Sequence, residues 1–444
     1  MANVNGNRKN NSSVDNVLVV VDFQNGFIKG GSFGGHGNLK DLEFSIQQAK
    51  DIEKLIDANN TIVFTRDFHP INHLSIGIPG KVRTDYRTTW PSHCLNTKSI
   101  CPRHENALIN KEESNGENYG INNPGSLENR TFITIDQYFN KPEYKNKLKL
   151  ISNFTKNKFG TYLEQPIIGT NISFLMYTTK YAPEILALTV ANAPIGIPSE
   201  TNKSGAPNFN LINLNIFTGQ NKNNTKTFVQ LTKGQLCRYE SYSAFNYHWH
   251  IKLDRRLAEG KAAKEANNKN NGLATYKADY ITKKYAGVGK LQQLSTGLFE
   301  YILKTSKKNI NITVCGLVGE VCVINSVVEG LIMWRKFYQT LPEFENKKVV
   351  FNYSLCGTLF TGLGLMGFDS AFKKNNSNNL SLVPNSNKLE EFYKNMLSYL
   401  DNFVDPFFKD LIEFNILDQN GNFCQSIRYN DELFVNSAEQ IKFN

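Results

Sequence analysis

A chain of 444 residues, 40% of them hydrophobic, is long enough to bury a large core and to hold two or three domains. Its formal charge of +10 is spread over Lys-rich stretches such as Lys261 to Lys269 and Lys277 to Lys290, broken by Asn, Ala and Gly without regularly interleaved aromatics, which argues against a nucleic-acid partner. Seven irregularly spaced cysteines exclude a disulfide framework, and neither an apolar leader nor a run of about eighteen apolar residues is present, so a soluble, cytoplasmic protein is expected, with no membrane partner.

Residues 1–15 are polar, Asn-rich and expected to be disordered. Val17 to Asp22 is a continuous β-branched run ending in a carboxylate, which reads as a buried parallel strand. Ile46, Ala49, Ile52, Leu55 and Ile56 then recur at helical spacing, predicting an amphipathic helix over 45–59, and Thr61 to Arg66 is the next strand. From 102 to 226 the chain becomes rich in Asn, Gly and Lys, which points to an inserted subdomain or loop, and 254–289 reads as a shorter polar insertion. The rhythm resumes with strands over Thr227 to Leu231 and Ile310 to Cys315, a helix over Glu320 to Phe337 and a strand over Lys348 to Tyr353. A C-terminal extension over 371–444 opens with an Asn/Ser linker, Asn375 to Asn387, and continues with helix-like Leu389 to Phe403. The alternation predicts an α/β domain over 16–101 and 227–370, with a parallel, Rossmann-like sheet flanked by helices on both faces.

Several chemically versatile side chains fall at the ends of these strands, where open α/β sheets bind ligands. Cys322 follows a strand and a Gly-containing turn, near a helix N-terminus that favours the thiolate and offers amides to an oxyanion; taken alone, a Cys on an apolar helix reads as core. Asp22 is placed to take and return a thiol proton, or to cap a turn. Lys233, after Val229 to Thr232, either holds Asp22 ionised or sits on an exposed loop. Asp67, His69 and His93, with His73 a further candidate, form a carboxylate/imidazole set suited to Zn²⁺, Fe²⁺ or Mn²⁺. Three of the seven histidines lie between 69 and 93, which favours a site over an accidental loop.

Together these segments resemble nicotinamidases, members of the isochorismatase-like family of cysteine hydrolases. The resemblance is carried by Val20 to Phe27 with Gly30-Gly31-Ser32, by Thr65 to Ser75, by Trp90-Pro91-Ser92-His93-Cys94, by Lys233-Gly234 with Ser241 to Phe245, and by the Gly316 to Val323 turn. It covers roughly Asn16 to Ile100 and Phe228 to Ser354. It implies an isochorismatase-like hydrolase fold with Cys322 as nucleophile, Asp22 as general base and acid, and Lys233 as charge partner of both. It further implies metal ligation by Asp67, His69 and His93, with zinc the first expectation. Phe27 and Trp90 would flank a small aromatic amide, and the backbone N–H groups of Val318 and Cys322 would form an oxyanion hole beside a cis peptide bond just before Val318. The implied activity is hydrolysis of nicotinamide to nicotinate and ammonia in NAD salvage. Another small aromatic amide as substrate, or a non-catalytic scaffold on the same fold, are the alternatives, and the protein is free to form a homo-oligomer. Gly26, Glu320 and Val318-Gly319 stand where the family usually has Asp, Asp and an Ala-Thr pair.

Overall fold

The apolar run after Val14 becomes β1 (Val14–Val21), the middle of a sheet whose residues from Val17 onward are all buried. The computed structural model describes residues 14–28, 33, 37–70, 73–76, 86, 88–91, 93–96, 173–177, 179–181, 185, 214–221, 224–234, 239–247, 249–253, 276–280, 295–307, 309–363, 365–367, 386–404, 406–429, 434–437 and 440–443. Gly30 to Ser32, residues 1–13, most of 102–226 and 254–289, and nearly all of the linker Asn375 to Asn387 lie outside these residues.

The main sheet continues in β2 (Thr61–Asp67), β3 (Leu214–Asn221), β4 (Asn224–Lys233), β5 (Asn309–Leu317), β6 (Lys348–Leu359), β7 (Glu413–Leu417), β8 (Phe423–Tyr429) and β9 (Phe434–Ser437). Its order is β9-β8-β7-β6-β5-β1-β2-β4-β3. The six strands from β7 to β4 run parallel, and the antiparallel pairs β3–β4, β7–β8 and β8–β9 finish the two edges. Helices pack against this sheet, giving the α/β architecture expected from the alternation.

Helix α1 (Leu42–Ala58) begins three residues before the first predicted position because the Asp41 side chain caps it, accepting the Phe44 N–H at 3.2 Å. Helix α2 (Leu298–Thr305) precedes β5. The predicted helix 320–337 is one helical path with an α-helical centre, α3 (Ile324–Met333), between π-helical turns at Gly319–Val323 and Trp334–Tyr338. Helix α4 (Ser386–Phe403) lies where Leu389 to Phe403 indicated. Among the described residues, no helix is long and apolar enough to cross a membrane.

The strands not anticipated are short or polar. β3, inside 102–226, closes a hairpin with β4 through Asn221 opposite Asn224, where little apolar periodicity exists to read. β7 extends the parallel sheet from within the C-terminal extension, and a ladder of amides locks it there. Asn311 donates to Asn16 at 3.1 Å, Asn352 to Asn311 at 2.6 Å and Asn415 to Asn352 at 3.0 Å, with Ser426 donating to Asn415 at 2.7 Å. Asparagine is a poor strand former by propensity, and here its place in the sheet is set by these cross-strand bonds.

Candidate active site

The strand ends converge because β5, β1, β2 and β4 are neighbours in one parallel sheet, so the residues closing them share one edge. Asp22 follows β1, Asp67 ends β2, Lys233 ends β4, and the Val318 to Cys322 turn follows β5. A small cleft, partly open to solvent, is lined by Asp67, His69, His93, Lys233, Val318 and Cys322 among others.

Lys233 is the hub. Its ammonium lies 2.7 Å from Asp22 Oδ2, donates to the Ser241 carbonyl at 2.7 Å and to Cys322 Sγ at 4.0 Å, and stands 3.8 Å from Asp67 Oδ1. Burial penalises this ammonium, yet Asp22, Cys322 and Asp67 hold its pKa well above the ordinary lysine value. The exposed-loop reading of Lys233 therefore fails, since the side chain is 1% exposed.

Asp22 adopts a left-handed backbone conformation, φ 44°, uncommon for a residue with a Cβ. Thr65 holds it there, accepting the Asp22 N–H at 2.9 Å and donating its hydroxyl to Oδ1 at 2.6 Å. Burial pushes the Asp22 carboxyl up, Lys233 pulls it back and Asp67 adds to the rise, leaving it more basic than an exposed aspartate. Asp67 goes the other way: burial would raise it, but His69 and Lys233 hold it well below the carboxylate range. Two buried carboxylates with opposite shifts are the arrangement from which distinct acid/base roles are assigned.

Cys322 is half-buried on the cleft wall, in the π-helical turn before α3. Here one expectation is corrected. The helix N-terminus was expected to favour a thiolate, but burial pushes the thiol well up, and the pull of Lys233 is opposed by Asp22, Asp67 and Glu240. A thiol pushed up in this way calls for a base to take its proton. The Leu317–Val318 bond is cis, as the resemblance implied, and Val318 and Cys322 both face the cleft.

Asp67 Oδ2 lies 3.1 Å from His69 Nε2 and 3.2 Å from His93 Nε2. Each ring has its other nitrogen on a main-chain carbonyl, His69 Nδ1 with Gly234 at 2.9 Å and His93 Nδ1 with Pro91 at 2.6 Å. That outer bond fixes the tautomer that leaves Nε2 as the ligating atom. Asp67 Oδ1 and Glu240 Oε2 are buried without a hydrogen-bond partner, as expected of groups arranged for a cation. The three residues therefore fit a divalent metal. His73 makes a second grouping with His69 and Glu240, but its Nδ1 is engaged by the Ser75 hydroxyl at 2.7 Å. Gly234 has φ +73°, and a Cβ there would stand 2.6 Å from Asp67 Oδ1 and 2.8 Å from the His69 ring, so only glycine lets β4 end this close to the cluster.

Phe27 and Trp90 line the cleft, joined by Phe33 and Tyr242. Phe33 packs edge-on against Phe27 at 5.6 Å and His93 at 5.5 Å, while Trp90 Nε1 donates to the Tyr242 hydroxyl at 3.0 Å. Phe33, Tyr242, Glu240 and Thr65 escaped the sequence reading as site residues. All four sit inside or beside stretches that carried the resemblance, but only their burial around Lys233 and the Asp67 cluster marks them out.

Two departures from the family pattern have a physical account. A Cβ on Gly319 would lie 2.5 Å from the Phe360 ring, so Phe360 fills the space a threonine would need. Glu320, buried, accepts the Thr361 N–H at 2.7 Å and the Thr361 hydroxyl as well. Nothing in the structure explains Gly26.

No family model matches the chain. It is 34% identical over 87 residues to a nicotinamidase of Acinetobacter baylyi, covering 18% of this chain and 37% of that protein. It is 34% identical over 84 residues to a nicotinamidase/pyrazinamidase of Mycobacterium tuberculosis, covering 18% and 38%. The match thus spans less than two fifths of the length of these relatives. Among solved structures, an Acinetobacter baumanii nicotinamidase/pyrazinamidase aligns at TM-score 0.34 and 13% identity over 87% of this chain and 94% of that one. PnC1 of L. infantum, in complex with nicotinate, aligns at TM-score 0.32 and 13% identity over 78% and 82%.

Proposed function

We propose that this chain, similar over part of its length to nicotinamidases of the isochorismatase-like family, hydrolyses the carbon–nitrogen bond of a small aromatic amide, with nicotinamide as substrate and nicotinate and ammonia as products in NAD salvage. The observation that carries this reading is the contact set of Lys233, one ammonium shared by Asp22, Cys322 and the edge of the Asp67 cluster.

In the proposed cycle Asp22 takes the proton of Cys322, and the sulfur forms a bond to the carboxamide carbon. The carbonyl oxygen becomes an oxyanion received by the N–H groups of Val318 and Cys322. The carbon–nitrogen bond breaks as Asp22 returns its proton to the leaving nitrogen, giving ammonia and a thioester. Asp22 then takes a proton from water as its oxygen bonds to the acyl carbon, and the carbon–sulfur bond breaks to free the acid while Asp22 returns that proton to the sulfur, restoring the thiol. A divalent cation held by Asp67, His69 and His93, zinc before Fe²⁺ or Mn²⁺, would supply a Lewis acid for the ring nitrogen. Phe27, Phe33 and Trp90 give the flat walls that a heteroaromatic ring needs. Those walls equally suit a related amide such as pyrazinamide.

Ammonia release from nicotinamide by the purified, metal-loaded chain tests the reading, with pyrazinamide and benzamide run beside it. Turnover of nicotinamide above the others is expected; no ammonia from any of the three would favour the scaffold alternative. The metal assignment has its own check. Burial lowers the His69 imidazole, but Asp67 and Glu240 outweigh it and push it up to about 9, so it is protonated at neutral pH and must lose that proton to ligate. Zn²⁺ added at pH 7 to chelator-treated protein is expected to displace about one proton per ion, read by calorimetry in buffers of different ionisation heat. A binding enthalpy independent of the buffer would remove His69 from the ligand set.

A further inference from the structure

The C-terminal helix α4 turns one face inward: Phe392, Met396, Tyr399 and Leu400 are all buried, at the spacing of a single helical stripe. On that face the Tyr399 hydroxyl donates to Asn325 Oδ1 at 2.8 Å, and Asn325 Nδ2 donates to the Val321 carbonyl at 2.7 Å. Val321 is the residue before Cys322, inside the π-helical turn that carries the thiol. π-helical turns are uncommon and lie off the regular helix ladder, so side-chain bonds to their carbonyls weigh heavily in where the turn sits. Asn325 is fully buried and its amide has two ends: with Oδ1 engaged by the phenol, Nδ2 is the end left facing Val321. The Val321 carbonyl can only accept, so it requires the Nδ2 end of the amide, and the hydroxyl of Tyr399 anchors the opposite end, Oδ1, holding the side chain against the turn. A second contact runs in parallel, since the Phe360 ring that covers Gly319 packs edge-on against Phe392 of α4 at 6.3 Å.

We propose that Tyr399 is a positioning residue for the nucleophile, acting through Asn325 on the Val321–Cys322 turn, so that helix α4 forms part of the mounting of the active site. The proposal rests on Cys322 being the reactive thiol. Burial pushes the Tyr399 phenol well up, which keeps it a donor across the working range.

Tyr399→Phe removes the hydroxyl and keeps the ring, which stacks on Phe403 at 5.6 Å. Asn325→Asp keeps an acceptor for Tyr399 and removes the donor to Val321. Each variant is expected to lower kcat for the amide about tenfold while KM stays within about twofold of wild type, as displacement of a reacting group without loss of binding surface requires. Alkylation of Cys322 by iodoacetamide, followed on the Cys322 peptide by mass spectrometry, should slow by a similar factor, while the exposed Cys424 reacts at its wild-type rate. A merely structural contact would lower the melting temperature and leave both quantities unchanged per folded molecule. Unaltered kcat and Cys322 alkylation in either folded variant would overturn the proposal, since each variant breaks one link of the path from Tyr399 through Asn325 to Val321. If wild type releases no ammonia but alkylation still slows, the amidase reading fails and the positioning role stands.

Discussion

Cys322→Ala is expected to reduce ammonia release from nicotinamide to background, a loss of at least about 10³-fold in kcat, with the metal content of the protein unchanged. The reason lies in the division of the cleft. Sulfur sits 4.0 Å from the Lys233 ammonium, which pairs with Asp22, whereas Asp67, His69 and His93 meet one another through Asp67 Oδ2, so deleting the thiol touches none of the contacts within that cluster. Alanine leaves the turn itself in place, because the bonds that shape it are main-chain or belong to Asn325 and Ser326, the latter donating to the Cys322 carbonyl at 2.7 Å. Turnover and metal content measured on one sample separate the two halves: activity retained by Cys322→Ala would rule out a thioester, and metal lost with the thiol would mean that the two clusters are not independent.

How much of this was legible in the sequence follows from which signals a strand end leaves. Asp22, Asp67 and Lys233 each close a β-branched or apolar run, and a polar residue at that point in a parallel strand is conspicuous. The scarce histidines drew attention to His69 and His93 in the same way. Glu240 gave no such signal: it ends a two-residue strand, Tyr239–Glu240, too short for any period, and its importance appears only when His69 and His73 lie 4.0 Å and 3.9 Å from its carboxylate. Phe33 was hidden for another reason, because an aromatic in a Gly-rich stretch reads as a loop residue until its ring is seen between Phe27, His93 and Trp90. The C-terminal extension was the hardest part to read. β7 is five residues long, Glu413–Leu417, and its place beside β6 depends on Asn352 and Asn415, a pairing set by hydrogen bonds that propensity gives no reason to expect. The thiol was misjudged because a local feature, the helix terminus, was weighed without the burial and neighbouring carboxylates that only the fold supplies.

Lys233→Met should prove the most damaging single change to the cleft as a whole, since it deletes the charge that lets Asp22 and Asp67 coexist in a buried space. Methionine is close in shape, so the expected loss is electrostatic. Removing one partner of a buried ion pair costs on the order of 3–5 kcal/mol, and Asp67 retains His69 and His93 whereas Asp22 keeps only Thr65. Asp22 is already raised by burial in the presence of Lys233, and without the ammonium it rises further, so a smaller fraction of it is ionised at a given pH. A protonated Asp22 cannot accept the thiol proton, so kcat is expected to fall about 10²–10⁴-fold, the range of general-base contributions. The stability effect carries a sign. With its folded pKa raised above the ordinary 3.8, Asp22 makes the folded state bind more protons than the unfolded chain, so its contribution is full below about 4 and is lost as pH rises through the raised value. The melting-temperature deficit of Lys233→Met against wild type should therefore be small near pH 4 and widen toward pH 8. Thermal unfolding of both proteins across that range reads it directly, and the acid end gives a folded sample for activity controls even if the variant is unstable at neutrality. A deficit that is flat with pH, or a variant that still turns over the amide at the wild-type rate, would show that Lys233 does not hold Asp22 in its working state.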